Sequence, residues 1–126
     1  MRVTRIWSDA AGGSHFDDVD VELTSSSYAP PAPPFAVSSP LPTEAAVLFE
    51  MPPGWRGDWH PTPHRQLYCG LGGELEVEVS DGEVRRLPPG ELVLVEDLDG
   101  TGHVTRVLGD TPATGVFIHL GPPGNG

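Results

Sequence analysis

The stretch GWRGDWHPTPHRQLYCGLGG, residues 54–73, decides how the chain is read, and GTGH at 100–103 completes it. The two segments hold three of the five histidines, His60, His64 and His103, together with Trp59, Gln66 and Tyr68. Along an extended strand alternate side chains share a face, which puts His60, Thr62, His64 and Gln66 in register. A straight strand separates positions i and i+4 by roughly 13 Å at ~3.3 Å per residue, too far for two imidazoles to meet at one point. A corner is required. Pro61 and Pro63 supply it, because each locks its φ and removes an N–H, so the Pro-Thr-Pro triplet bends the chain. The corner is expected to turn His60 toward His64 or Gln66.

Outward from this stretch the chain reads as short strands punctuated by Gly, Pro and Asp. In ELEVEVSDGEVRRL, residues 74–87, Leu75, Val77 and Val79 alternate with Glu74, Glu76 and Glu78. Asp81 and Gly82 suit a two-residue type I′ turn, so a hairpin with one buried face is expected. Its acidic row should be solvated and paired across the hairpin with Arg85 and Arg86. AAVLFEM at 45–51 is a continuous apolar run and predicts a buried strand. Further strands are expected at 3–7, at 18–23 (where Val19, Val21 and Leu23 alternate with acids), at 92–95, at 103–108 and at 114–120. The proline-rich segment 28–42 builds neither helix nor central strand. It should run extended, anchored by Tyr28, Phe35 and Val37 on the domain or on a neighbouring subunit. GPPGNG at 121–126 is expected to fray. This rhythm, without internal repeat or long helix, indicates a β sandwich or barrel.

With 126 residues the chain is one domain with a core of moderate size. Its formal charge of −11 and seven basic residues argue against nucleic acid as a partner, which needs clustered cations. The lone Cys69, in an apolar strand context, reads as an inert buried thiol. No run approaches eighteen apolar residues and the N-terminus lacks an apolar signal core, so a soluble cytoplasmic protein without a membrane partner is expected. His15, in GGSHFDD, reads as a surface loop histidine.

Gly54, His60, Gln66 and Gly73 stand at the spacing of the first motif of the cupin family, which the segment resembles. Thr62 replaces that motif's second histidine, Gln66 replaces its glutamate, and His64 is an addition. Gly100 and His103 are similar to the family's second motif, preceded by PPGE at 88–91, with Val107 in place of its asparagine. The resemblance covers roughly residues 44–120. It implies an all-β, double-stranded β-helix (jelly-roll) barrel at 44–120, with the strands and proline-rich arm of 1–43 packed on it and 121–126 as a tail. It also implies a homodimer, since cupin barrels commonly pair through a sheet face.

The chemistry expected in the barrel follows from the histidines. Imidazole suits Fe, Mn, Ni, Zn and Cu, so one divalent metal on His60, His64 and His103, with Gln66 as a further ligand, is one expectation. A metal-free pocket in which His60 or His103 is the catalytic acid or base is the other. Trp59, Tyr68 and His119 are candidate substrate-binding residues. Trp59 and Tyr68 flank the ligand positions with planar rings, and His119 alternates with Phe117. Three classes remain open for a small organic ligand: a metal-dependent dioxygenase, an isomerase or cyclase that abstracts an acidic C–H proton, and a non-catalytic binding module.

Overall fold

Alternation of apolar and polar side chains dictates the architecture of the computed structural model, which describes residues 1–121. The strands, in chain order, are β1 (Arg2–Ser8), β2 (Ser14–Asp20), β3 (Thr24–Ser26), β4 (Phe35–Val37), β5 (Thr43–Met51), β6 (Gln66–Gly72), β7 (Glu74–Val79), β8 (Val84–Leu87), β9 (Leu92–Glu96), β10 (His103–Leu108) and β11 (Ala113–Leu120). Six form one sheet in the order β2-β1-β9-β6-β11-β5, and three form a second, β10-β7-β8. Ile6, Phe16, Tyr68, Val93 and Val95 of the large sheet pack with Leu75, Val77, Val79 and Leu87 of the small one in a single core. Each such side chain taken fully out of water contributes about 1.5–3 kcal/mol. Among the described residues there is no helix, hence none long and apolar enough to cross a membrane. The all-β jelly roll is the fold.

Several strands depart from expectation for local reasons. β5 is an edge strand bonded only to β11, and Leu48 (79 % exposed) and Val47 (42 %) stay in solvent while Phe49 and Met51 reach the core. Its apolar run therefore does not signify burial. β2 begins earlier than predicted because it pairs with β1 residue by residue, Ser8 to Ser14 through Arg2 to Asp20. Phe16 joins Ile6 on the inner face, whereas Val19, Val21 and Leu23 line an apolar groove on the other face with Val3, Leu67 and Leu94. In the arm, β3 and β4 pair, among the described residues, only with each other, and Tyr28 and Phe35 meet edge-on at 5.6 Å while remaining largely exposed.

The β7–β8 hairpin forms, but with a different turn. Val79 N–H bonds the Glu83 carbonyl at 3.1 Å, which leaves Ser80, Asp81 and Gly82 in the loop. Only Gly82 has positive φ there, so the turn is not type I′, which needs two such residues. Arg86 pairs with Glu74 as expected (2.6 Å), but Glu76 and Glu78 are held by Arg106 of β10. Arg85 lies opposite the inward Val77 and so points away from the acidic row, over the Phe16 ring and onto Asp18. At the C-terminal end Gly121 is buried and donates to Pro42 O (2.9 Å), contrary to the expected fraying; the remaining tail lies outside the described residues.

His15 is likewise no loop residue. It sits in β2 with Nε2 2.6 Å from Asp9 Oδ2 and Nδ1 2.8 Å from Asp81 Oδ2, and its ring lies 4.8 Å from Trp7. The hydrogen bond to Asp9, then that to Asp81, raises the His15 pKa above its ordinary 6.5. A group whose folded pKa is raised stabilises fully below its unfolded value and loses that contribution as pH climbs through the folded value. Unfolding by urea should therefore become easier as pH rises from about 6.5 upward, and His15→Asn should flatten that part of the profile. Parallel wild-type and variant profiles would show that the clasp contributes nothing.

Candidate functional site

Residues 55–60 run antiparallel beside β10 and extend the smaller sheet. Val107 N–H donates to Trp55 O (2.9 Å), Gly57 N–H to Thr105 O (3.0 Å), and His60 and His103 exchange backbone bonds of 3.1 and 3.0 Å. Between the Gly57 and His60 pairings the segment holds one residue more than β10, a bulge that re-aims its side chains. Trp59 is consequently displaced to the surface, 43 % exposed, whereas Trp55, paired with Val107 ahead of the bulge, lines the cavity. Gly102, at φ 72°, lies so close to His60 that a Cβ would overlap the His60 carbonyl. Only glycine lets the two segments meet.

The Pro61-Thr62-Pro63 corner then turns the chain into β6. Thr62 is buried; its hydroxyl donates to His64 O (2.7 Å) and accepts from Gln66 Nε2 (3.3 Å), which holds the Gln66 amide at the cavity. On the other side, the loop between Asp97 and His103 is pinned by the β1–β2 turn. Thr101 N–H bonds Gly12 O (3.0 Å), Ser8 Oγ bonds Asp99 O (3.0 Å), and Ser14 Oγ bonds Gly102 O (2.6 Å).

Between the sheets lies a cavity of about 100 Å³. His60, Thr62, Gln66, His103 and Thr105 gather its polar groups, and Ile6, Val77, Val93, Tyr68 and Phe117 form much of its apolar wall. The His60 and His103 rings are 5.2 Å apart between centroids and tilted by 48°. His60 Nδ1 is 2.7 Å from the Asp58 carbonyl oxygen, and His103 Nδ1 is 2.6 Å from Asp97 Oδ2. Both partners only accept, so in each neutral ring Nδ1 carries the proton and Nε2 keeps its lone pair. Asp97 is fully buried, its Oδ1 has no partner among the described residues, and its backbone carbonyl accepts Thr62 N–H (3.0 Å). Burial, the largest cause, pushes the Tyr68 hydroxyl up to about 12, so it stays a neutral donor. Burial also pushes the half-buried Cys69 thiol up, which keeps it protonated and unreactive.

Of the expected site residues, His60, Gln66, Tyr68 and His103 share the cavity, whereas His64, His119 and Trp59 are not part of its lining. His64 does not face His103. The corner carries it onto His119, ring on ring at 4.0 Å and 19°. His119 lies opposite Gln66 in register but at the end of β11, where His64 covers it. The expected three-histidine metal set is therefore not assembled. Among the described residues no group of three or more His, Cys, Asp or Glu side chains is placed to hold an ion. Two imidazoles with a neutral amide as the further donor fall short of the three strong ligands that a resident divalent cation takes. Asp97 was missed in a segment that reads as a turn, although it shares the parity of the buried Val93 and Val95.

A family profile described as "Cupin domain" matches residues 47–119. Among solved structures, the Schizosaccharomyces pombe Cnp3 cupin domain superposes with a TM-score of 0.52 at 20% identity, over 86% of this chain and 73% of that one. At that identity the likeness is one of fold. A comparison with curated protein sequences found no match. The profile spans more than half of the residues, and the two-sheet barrel agrees with it: the chain belongs to the cupin family.

Proposed function

We propose that this cupin binds a small organic molecule in the barrel and moves a proton on it, His103 being the general base and Asp97 its positioning partner. The observation that supports this reading is the buried Asp97 carboxylate 2.6 Å from His103 Nδ1, on a ring that lines the cavity. A carboxylate behind an imidazole fixes the tautomer and stabilises the cation that forms when Nε2 takes a proton. His103 Nε2 removes the proton from a carbon next to a carbonyl, and the C–H electron pair moves into the carbonyl to give an enolate. The Gln66 N–H not used on Thr62 is a neutral donor for that oxygen. Return of the proton to a different atom completes an isomerisation; attack of the enolate carbon on a second carbonyl moves that C=O pair onto its oxygen, which takes the proton back from His103 Nε2 and completes a cyclisation.

Solvent exchange tests this without knowledge of the natural substrate. In heavy water the protein should speed C–H to C–D exchange in 2-hydroxycyclohexanone, read by proton NMR. His103→Ala should lower the rate by about 10²- to 10⁴-fold, the usual worth of a general base. Asp97→Asn should lower it substantially while leaving affinity for the probe nearly unchanged, and dialysis against EDTA should leave it intact. Exchange that vanishes with EDTA and returns with one equivalent of Fe, Mn, Ni, Zn or Cu would replace proton transfer by a metal-dependent reaction. Wild type no faster than His103→Ala would reject the base.

Assembly into a homodimer is also proposed. The free edge of β5, with Val47 and Leu48 in solvent, and the exposed Tyr28–Phe35 pair support it. Sedimentation at tens of micromolar should give twice the chain mass, and a monomer would count against it.

A further inference from the structure

The hydrogen-bond state of the two imidazoles restricts what the cavity accepts, an inference that rests on reading the barrel cavity as the working site. His60 Nδ1 is engaged by a backbone carbonyl and His103 Nδ1 by a carboxylate, neither of which donates. Both Nε2 atoms therefore present lone pairs, on rings only 5.2 Å apart between centroids. An occupant that supplies O–H or N–H groups satisfies them. One that supplies only acceptors leaves lone pair against lone pair and forfeits the water bonds of both.

Charge acts in the same direction. None of the seven arginines lines the cavity, and the chain has no lysine. Arg5, Arg65, Arg85, Arg86 and Arg106 are each held by carboxylates elsewhere. The buried Asp97 lies behind His103, and the whole chain carries a formal charge of −11. An anion entering this space would lose its hydration without finding a cation. Size sets the last limit, since about 100 Å³ between Val77, Val93 and Phe117, open at the exposed His60, takes one ring and little more.

We infer that the cavity selects uncharged single-ring molecules that present hydroxyl or N–H donors to His60 and His103, and rejects carboxylates. Phenol, toluene and benzoate separate the donor and charge requirements, because they share one ring and differ in those two respects. Titrated at pH 8 and followed by protein NMR, phenol should bind at least tenfold more tightly than benzoate and at least tenfold more tightly than toluene. His60→Ala, at an exposed position that leaves the core intact, should weaken phenol severalfold and leave toluene unchanged. Benzoate binding as tightly as phenol would overturn the charge argument, toluene binding as tightly would overturn the donor argument, and no binding of any probe at millimolar concentration would overturn the inference as a whole. Selective phenol binding without exchange of 2-hydroxycyclohexanone would leave the inference standing and reject proton transfer. Exchange with unselective binding would do the reverse.

Discussion

The reciprocal backbone hydrogen bonds between His60 and His103 hold the site together. They join the irregular segment 55–60 to β10, bring two imidazoles to 5.2 Å between centroids, and depend on Gly102 having no side chain. Backbone bonds position a side chain more firmly than side-chain contacts do, because they leave only the χ angles to be settled. Here those are settled too, by Asp58 O for one ring and Asp97 for the other. The bulge beside them sets His60, rather than Trp59, opposite His103.

Asp97 gives this arrangement its chemical bias. A buried carboxylate is costly unless it is paired, and His103 is the partner that makes its burial tolerable. In return the carboxylate orients the ring and fixes its tautomer. The apolar walls strengthen that effect, since electrostatic interactions grow as water is excluded. The β1–β2 turn contributes at a distance by gripping the loop that joins Asp97 to His103 through Gly12, Ser8 and Ser14.

Much of the barrel was legible in the sequence because strand periodicity is local. Leu75, Val77 and Val79 alternate as written and are buried as written. The family spacing from Gly54 to Gly73 likewise located His60 and Gln66 at the cavity. What was not legible depended on partners distant in sequence. AAVLFEM has the composition of a buried strand, yet only the sheet order makes it an edge. Trp59 left the cavity because of one extra residue opposite β10, which no pattern within 54–73 reveals. His64 was expected opposite His103 since a proline corner fixes that the chain turns, but not which side chain it delivers; His119, from the far end of the chain, captured it.

His60 and His103 both line the cavity and, as neutral rings, carry the proton on Nδ1 and leave Nε2 free. Long-range ¹H–¹⁵N correlation spectra of uniformly ¹⁵N-labelled protein at pH 8 measure this directly, because the two neutral tautomers give different patterns for the ring nitrogens. Both residues, assigned through His60→Ala and His103→Ala, should show the proton on Nδ1 and a free Nε2. A proton on Nε2 of either ring would contradict the claim, and with it the donor-bearing ligand and the base assigned to His103.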